Sequence, residues 1–323
     1  MLNKICLDEM KGKKNLLAFS YGSDSSALFF LLEKEGISFD IAFVNYGTRK
    51  NSDIEESEAR KLANKFSKNF FCKKAPFFDS NFEKNARDFR YSFFDELCEK
   101  FAYENLILAH NLNDKFEWFL MQFSKGAGLL ELCDFNYISK RKQYILLRPM
   151  LDTCKDEILD FLKRENISFF KDESNYDEKY FRNRIRKYFA KPFVSEFHTG
   201  VKNTFAYLQK DINNLYPCEE KEFNGILLCD IKESVIAKNA KKLGFVLSAK
   251  QRKEALKGDC VISHKLGICY IQNKALLFLY ERSEKIPKKD RELFRKANIP
   301  PLLRAYLFKH KISLKDFLCF LNS

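Results

Sequence analysis

Hydrophobic and polar positions alternate in a regular pattern along the first half of the chain. Short apolar runs rich in β-branched and aromatic residues are each followed by a longer stretch with the period of an amphipathic helix. The predicted strands cover residues 16–20, 41–45, 69–73, 106–110 and 144–147. Strands that alternate with helices at this spacing form right-handed βαβ units. The pattern therefore predicts an α/β fold with a doubly wound parallel sheet.

The strand–helix alternation stops after about residue 186. Beyond this point the sequence predicts a helical, lysine-rich region, followed by shorter strand-like runs at 225–229, 267–272 and 275–280. A length of 323 residues corresponds to about two domains. We predict an α/β catalytic domain over residues 1–200 and a basic, helical or mixed domain over residues 201–323.

An excess of positive charge indicates a polyanionic partner. The 57 Lys and Arg residues outnumber the 44 Asp and Glu residues, which gives a net charge of +13. Two stretches concentrate this charge: residues 179–191 contain six basic residues and no acid, and residues 238–257 contain seven basic residues and one acid. Such runs are ordinarily solvated helix faces, but beside a nucleic-acid substrate they would contact phosphates.

The sequence also argues against several classes of protein. The longest apolar runs are much shorter than the roughly 18 residues that cross a bilayer, and the first fifteen residues contain no apolar signal segment. We therefore expect a cytoplasmic protein with no membrane contact. The ten cysteines lie at least nine positions apart, so no CxxC pair is present for a zinc ribbon or an iron–sulfur cluster. We interpret them as reduced, mostly buried thiols.

A glycine- and serine-rich turn follows the first predicted strand and leads directly into a helix. It reads Ser-Tyr-Gly-Ser-Asp-Ser over residues 20–25. Backbone N–H groups and hydroxyls at a helix N-terminus form a binding site for an anion such as phosphate. The turn is not a Walker A loop, because no Gly-Lys-Ser/Thr follows. Asp24 suits a phosphate loop if a divalent cation bridges it to the phosphates. Taken alone, the turn is equally consistent with a serine-capped helix start that binds no ligand.

The turn does not stand alone, and its neighbours form an ordered set of motifs. The hexapeptide is similar to the SGGxDS motif of the N-type ATP pyrophosphatases, or PP-loop enzymes. Further segments resemble, in order, the motifs of the tRNA(Ile)-lysidine synthetases: VNYGTR at 44–49, ARDFRY at 86–91, AHNLNDKFE at 109–117, KGAG at 125–128, RPML at 148–151, DESN at 172–175 and RNRIR at 182–186. The chain departs from these motifs at Tyr21, Tyr46, Thr48, Asn113 and Trp118.

This resemblance implies a fold and a reaction. The implied fold is the adenine nucleotide alpha hydrolase-like sheet, followed by a basic helical domain that contacts tRNA. The implied activity is ATP-dependent ligation of L-lysine to C2 of the wobble cytidine in tRNA(Ile) with a CAU anticodon, which changes decoding from AUG to AUA. ATP would first adenylate the C2 carbonyl oxygen, and the lysine ε-amine would then attack C2 and expel AMP. The implied cofactors are ATP and Mg²⁺. The sequence leaves the oligomeric state open, with a homodimer as one option.

The resemblance also implies roles for individual residues. The phosphate cradle would consist of Ser20, Tyr21, Gly22, Ser23, Asp24 and Ser25, with Asp24 as the metal-binding carboxylate. Cationic groups that act on the phosphates would be Arg49, Arg87 and Arg90. The acid pair Asp114 and Glu117 would hold the lysine amine and accept its proton. Arg182, Arg184 and Arg186 would contact tRNA.

Alternatives remain at this stage. Asp114 and Glu117 lie three positions apart, and they could be an ordinary acid pair favoured by the dipole at a helix start. Tyr21 and Asn113 also motivate a different function, a catalytically silent RNA-binding protein on a PP-loop scaffold. A different PP-loop tRNA-modifying enzyme, such as a cytidine thiolase, is a further alternative, although the known thiolases usually carry the close cysteine pair that this chain lacks.

Overall fold

The computed structural model of the chain describes residues 1–47, 52–141, 143–170, 180–216, 220–282 and 285–322. Arg49 and the DESN segment at 172–175 lie outside the described residues. The chain divides into two compact units. The first comprises Met1–Ala127 and Leu132–Leu208, and the second comprises Gly128–Glu131 and Gln209–Ser323. The sequence-based boundary was placed at residue 200.

The first unit contains a six-stranded sheet that is parallel except at one edge. Its strands are β1 (Asn15–Phe19), β2 (Asp40–Asn45), β3 (Phe70–Lys74), β4 (Asn105–Ile107), β5 (Ile138–Lys140) and β6 (Ile145–Leu147). They lie in the order β3-β2-β1-β4-β6-β5, and only β5 is antiparallel to its neighbour. The predicted doubly wound parallel sheet is therefore confirmed. The short edge strand β5 was not predicted.

Helices connect these strands and continue beyond the sheet. They are α1 (Lys4–Met10), α2 (Ser23–Lys34), α3 (Ser52–Lys65), α4 (Phe82–Phe101), α5 (Leu112–Phe123), α6 (Leu129–Leu132), α7 (Lys155–Arg164), α8 (Phe181–Ile185) and α9 (Lys191–Leu215), with a π-helical turn over Arg186–Ala190. The last helix continues past residue 208.

The central strand β1 is buried on both faces, as expected for a parallel sheet covered by helices. Leu17 and Phe19 join a core cluster with residues of α2, whereas Leu16 joins a separate cluster with residues of α4. This alternation follows from the two-residue period of a strand. The strand order reverses at β1 and β4, and ligands of such sheets bind at the carboxyl ends of the strands beside this reversal. The fold thus directs attention to residues 20–25 and 108–117.

The second unit contains a five-stranded antiparallel sheet together with helices. Its strands are β7 (Lys221–Phe223), β8 (Ile226–Asp230), β9 (Cys260–Ile262), β10 (Leu266–Ile271) and β11 (Lys274–Leu279), in the order β7-β8-β11-β10-β9. Its helices are α10 (Glu233–Lys242), α11 (Ala249–Ala255), α12 (Lys288–Lys296), α13 (Pro301–Lys309) and α14 (Leu314–Asn322). The three strand-like runs of the sequence correspond to β8, β10 and β11.

The described part of the chain contains no helix that could span a membrane and no disulfide. None of its helices combines the length and the apolar composition that crossing a bilayer requires. The cysteines that the structure describes are free thiols and most are buried. Burial raises the pKa of the Cys98 thiol to about 12, which fits a small hydrophobic side chain and not a nucleophile.

Candidate active site

The Ser20–Ser25 loop connects β1 to α2 and is held by its own serines. The hydroxyls of Ser20 and Ser25 lie 3.2 Å apart, and the Ser25 hydroxyl donates to the carbonyl of Gly22 at 3.1 Å. Gly22 is the N-cap of α2. The N–H groups of the first helical turn, which begins at Ser23, have no acceptor within the helix. The loop therefore presents ordered donors at the carboxyl end of β1.

Tyr21 occupies the position of the first glycine in SGGxDS. Its φ of +57° is a left-handed conformation that glycine adopts most easily. The Tyr21 ring packs against Phe19 and Phe170, with centroid distances of 5.2 Å to each. The Phe170 N–H also donates to the Tyr21 carbonyl at 2.9 Å. These contacts hold the ring against the hydrophobic core, so the tyrosine contributes a backbone turn as glycine would.

Asp24 lies in the first turn of α2, where two side chains contact one of its oxygens. Lys155 Nζ lies 2.7 Å from Asp24 Oδ1, and Asn111 Nδ2 donates to the same oxygen at 3.1 Å. Lys155 Nζ also donates to Ser23 Oγ at 2.7 Å. Burial raises the pKa of the Asp24 carboxyl, the charge of Lys155 opposes this shift and the charge of Asp114 adds to it.

Sequence reasoning missed Lys155. The residue lies at the first position of α7, next to the N-cap Cys154. A lysine there faces the positive end of the helix dipole, which is an unfavourable position for a cation. That mismatch was the available sign that the side chain serves a purpose other than helix stability.

Asn111 joins the phosphate loop to the acid pair. As the N-cap of α5, its side-chain oxygen accepts from the Asp114 N–H at 3.1 Å, and its own N–H donates to Asp114 Oδ2 at 3.1 Å. Its Nδ2 is the group that donates to Asp24. The side chain of Asn111 therefore contacts both predicted functional segments, the phosphate loop and the acid pair.

Two arginines contact the acid pair. Arg182 Nη2 lies 2.6 Å from Asp114 Oδ1, and Arg182 Nε donates to Glu117 Oε2 at 2.8 Å. Arg186 Nε donates to Glu117 Oε1 at 2.6 Å, while its Nη2 lies 3.8 Å from Asp114 Oδ1. The side chain of Glu117 is 2% exposed and that of Asp114 is 15% exposed. The structure thus brings both acids together on one face of α5, as their spacing predicted.

These contacts change the interpretation of the acid pair and of the two arginines. Burial would favour the neutral form of Asp114, but the combined effect of the neighbouring cations, of which Arg182 contributes most, and of the Asn111 N–H hydrogen bond lowers the pKa of Asp114. The Arg186 pKa is raised despite its burial, because Glu117 accepts hydrogen bonds from the guanidinium. Arg182 and Arg186 therefore lie against carboxylates, not on a solvated face. Only Arg184 of the three predicted tRNA contacts is exposed, with its guanidinium 5.8 Å from the Phe181 ring.

The other predicted cations lie on α4. Arg90 hydrogen-bonds Tyr46, which replaces the family histidine, and the Tyr46 hydroxyl also donates to the Ala86 carbonyl at 3.3 Å. Arg87 is exposed and its guanidinium lies 5.2 Å from the Tyr91 ring. The structure thus supports Tyr46 as a partner of Arg90, while neither arginine contacts the phosphate loop among the described residues.

Asn113 replaces the first acid of the family's paired aspartates. It is buried, and its Oδ1 accepts the backbone N–H of Lys155 at 2.9 Å. The neutral amide fixes the start of α7 through this bond. The substitution thus removes a charge but keeps an acceptor that positions Lys155.

His110 lies three positions after the end of β4 and beside Asp114 of the acid pair. Burial lowers its pKa to about 3, and its ring centroid lies 5.1 Å from that of Phe135. The Arg148 guanidinium lies 4.8 Å from the centroid of the Phe135 ring and donates to the Asn136 carbonyl at 2.8 Å. Within the described residues, His110 Nδ1 has no hydrogen-bond partner. The imidazole is therefore held neutral.

Comparison with known proteins places this site in a family. A model described as a PP-loop domain matches residues 2–192. A tRNA(Ile)-lysidine synthase from Campylobacter jejuni is 56% identical over 308 residues, which make up 95% of this chain and 96% of that protein. The chain belongs to the tRNA(Ile)-lysidine synthase family. A member of this family from Wolinella succinogenes is 38% identical, over 93% of this chain and 94% of its own length.

A solved structure also shares the fold. The U34-tRNA thiolase NcsA from Methanococcus maripaludis has a TM-score of 0.54 and 16% identity, over 65% of this chain and 78% of that chain. This likeness shows the fold alone. The family and the adenine nucleotide alpha hydrolase-like fold that the ordered motifs predicted are thus confirmed, whereas the roles of single residues remain predictions.

We expect His110 to show no titration step above about pH 5, because burial disfavours the imidazolium. The measurement is an NMR pH titration of the histidine ring signals, with the His110→Gln variant used to assign the His110 resonance. A His110 ring that titrates between pH 6 and pH 7 would show that solvent reaches it and would contradict the expectation.

Proposed function

We propose that the chain is a ligase that joins L-lysine to C2 of the wobble cytidine in tRNA(Ile) with a CAU anticodon, using ATP. The observation that carries the proposal is the position of Asn111, which hydrogen-bonds both Asp24 in the phosphate loop and Asp114 in the acid pair. A reaction that first activates a base with ATP and then admits an amine requires those two sites to be adjacent. Membership in the lysidine synthase family supports the same chemistry.

In the first step, the Ser20–Ser25 loop would bind the phosphates of ATP. The N–H groups at the start of α2 and the hydroxyl of Ser23 would hold the oxygens while the cytidine C2 oxygen attacks the α-phosphorus. The bond from that phosphorus to the bridging oxygen breaks, pyrophosphate leaves and an adenylated tRNA remains. Donors fixed before the reaction stabilise the developing charge most effectively.

Mg²⁺ fits this site as an ion that both the protein and the substrate phosphates would bind. Magnesium is usually bound by one or two carboxylates together with substrate phosphates. Asp24 would hold the ion through its carboxylate, of which Lys155 and Asn111 both contact the same oxygen, Oδ1. No cluster of three metal-binding side chains occurs in the described ranges, so phosphates would complete the coordination. The ion would supply charge neutralisation for pyrophosphate.

In the second step, we assign the two acids different roles. Asp114 is the more exposed of the pair, and the lysine ammonium would take the place of the Arg182 Nη2 group that lies 2.6 Å from its Oδ1. Glu117 is almost fully buried and would stay paired with Arg186. Because its pKa is lowered, Asp114 is a weak base. It would anchor and orient the substrate ammonium, which would release a proton to water before the neutral amine attacks C2. AMP would then leave with the electrons of the C2–O bond, and the new C2–N group would release its second proton to water.

The tRNA would contact exposed cations of both units. Arg184 is available on α8, and Lys250, Lys253 and Lys257 are exposed in the second basic stretch. Such contacts bind phosphates without reading sequence. A tRNA substrate also supports the cytoplasmic location expected from the sequence.

The direct test is incubation of the chain with ATP, L-lysine and a tRNA(Ile) transcript, followed by mass analysis of the nucleosides. We expect lysidine from the wild type. Asp24→Asn should abolish both lysidine and tRNA-dependent AMP formation, because the loop loses its metal-binding charge, while tRNA affinity stays near the wild-type value. Asp8→Asn, which changes an exposed carboxylate on α1, is the matched control.

The same assay separates the alternatives. A wild-type chain that binds tRNA but forms no AMP would be a silent RNA-binding protein. Sulfur incorporation would indicate a thiolase. Normal AMP formation by Asp24→Asn would reject the metal role of Asp24.

Asp114→Asn should spare the first step and raise the apparent KM for lysine by about tenfold or more, because a charge-assisted hydrogen bond contributes about 1.5–3 kcal/mol. Single-turnover assays with and without lysine measure the two steps separately. Asp156→Asn changes an exposed acid in the first turn of α7 and is the control. Loss of adenylation without any effect of lysine concentration would mean that Asp114 does not bind the amine.

Arg184→Ala should weaken tRNA binding and reduce the slope of log affinity against log salt by about 0.7–0.9, the value of one phosphate contact. Filter binding at several salt concentrations measures the slope. Lys61→Ala, on the exposed face of α3, is the control. An unchanged slope would show that Arg184 is a solvated side chain.

A further inference from the structure

We propose that Lys155 is an additional ATP-binding residue, whose ammonium leaves Asp24 to bind the β- and γ-phosphates and then the departing pyrophosphate. The inference deepens the proposed function and rests on it, since it names a further group at the same site. Neither the sequence motifs nor the family resemblance pointed to this lysine.

Three helix starts converge on the carboxylate that Lys155 contacts. Asp24 belongs to the first turn of α2, Asn111 is the N-cap of α5 and donates to Asp24, and Lys155 is the first residue of α7. Each helix start adds partial positive charge. Together with the lysine ammonium, these helix starts surround Asp24 with groups that attract anions. A bound polyanion would interact with the same groups.

The Lys155 ammonium has one donor to spare. An ammonium carries three N–H groups. Asp24 Oδ1 and Ser23 Oγ take two of them, each at 2.7 Å. In the described part of the chain, no acceptor takes the third. The Lys155 side chain is 31% exposed, so this donor is accessible to a ligand at the loop.

The base of the side chain is fixed while its end can move. The Lys155 backbone N–H donates to Asn113 Oδ1 at 2.9 Å, and Cys154 before it donates to Glu157 Oε2 at 2.7 Å in a capping box. A rigid helix start thus carries a flexible four-carbon chain that ends in a cation. Since Ser23 is both a loop residue and a partner of Lys155, the ammonium already lies at the rim of the phosphate cradle.

The proposal predicts a selective loss of affinity. A lysine that binds the β- and γ-phosphates contributes to binding of ATP and pyrophosphate but not of AMP. Lys155→Met removes the charge and keeps the length of the side chain. Lys163→Met, which changes an exposed lysine on the same helix, is the matched control. Lys155→Arg keeps the charge.

The experiment is isothermal titration calorimetry of the full chain with three probes: the non-cleavable analogue α,β-methylene-ATP, inorganic pyrophosphate and AMP. We expect Lys155→Met to weaken the affinity for α,β-methylene-ATP and for pyrophosphate by about tenfold or more. The affinity for AMP should stay within about twofold of the wild-type value. Lys163→Met should bind all three probes as the wild type does. Lys155→Arg should retain most of the affinity for pyrophosphate.

Two results would overturn the assignment. Unchanged affinity of Lys155→Met for the analogue and for pyrophosphate would mean that the lysine only neutralises Asp24. An equal loss for all three probes would mean that it only holds the loop in shape, and a melting temperature measured for each variant identifies unfolding. Failure of the proposed function is distinguishable, because it appears as absence of lysidine from the wild type whatever Lys155→Met binds.

Discussion

The three hydrogen bonds of Asn111 are the constraint on which the arrangement of the site depends. Its side chain accepts from the Asp114 N–H, which caps α5, and donates to Asp24, while its backbone N–H donates to Asp114 Oδ2. These groups come from segments 87 positions apart in the sequence. Their meeting is possible because β1 and β4 are adjacent in the sheet and end at the same edge. The order of the strands thus places the loop proposed for ATP next to the acids proposed for lysine, so that one step can follow the other at the same site.

Charge at the site is balanced through direct pairs. Asp114 and Glu117 lie against Arg182 and Arg186, and Asp24 lies against Lys155. Removing carboxylates from water is costly, and only close, hydrogen-bonded cations offset that cost. The arginines therefore stabilise the buried carboxylates when no substrate is bound. A substrate cation that displaces one of them meets a carboxylate that is already ionised and oriented.

The sequence predicted the parallel sheet, the phosphate loop and the meeting of the two acids, because each depends on local pattern or on helical spacing. It did not predict β5, which is three residues long and contains a serine and a lysine. The assignment of Arg182 and Arg186 to tRNA rested on the basic run at residues 179–191 and on the resemblance of RNRIR to a family motif. Glu117 lies 65 and 69 positions earlier, so only tertiary structure reveals the pairing. Lys155 was missed for the same reason, since its partner Asp24 is 131 positions away.

The β-bridge between Gly22 and Phe170 gives the site a second link. Both partners in this contact are backbone groups, since the Phe170 N–H donates to the Tyr21 carbonyl at 2.9 Å. Phe170 lies outside the connection between β1 and α2. The loop proposed for ATP is thus fixed by backbone pairing to a distant segment as well as by its own serine side chains.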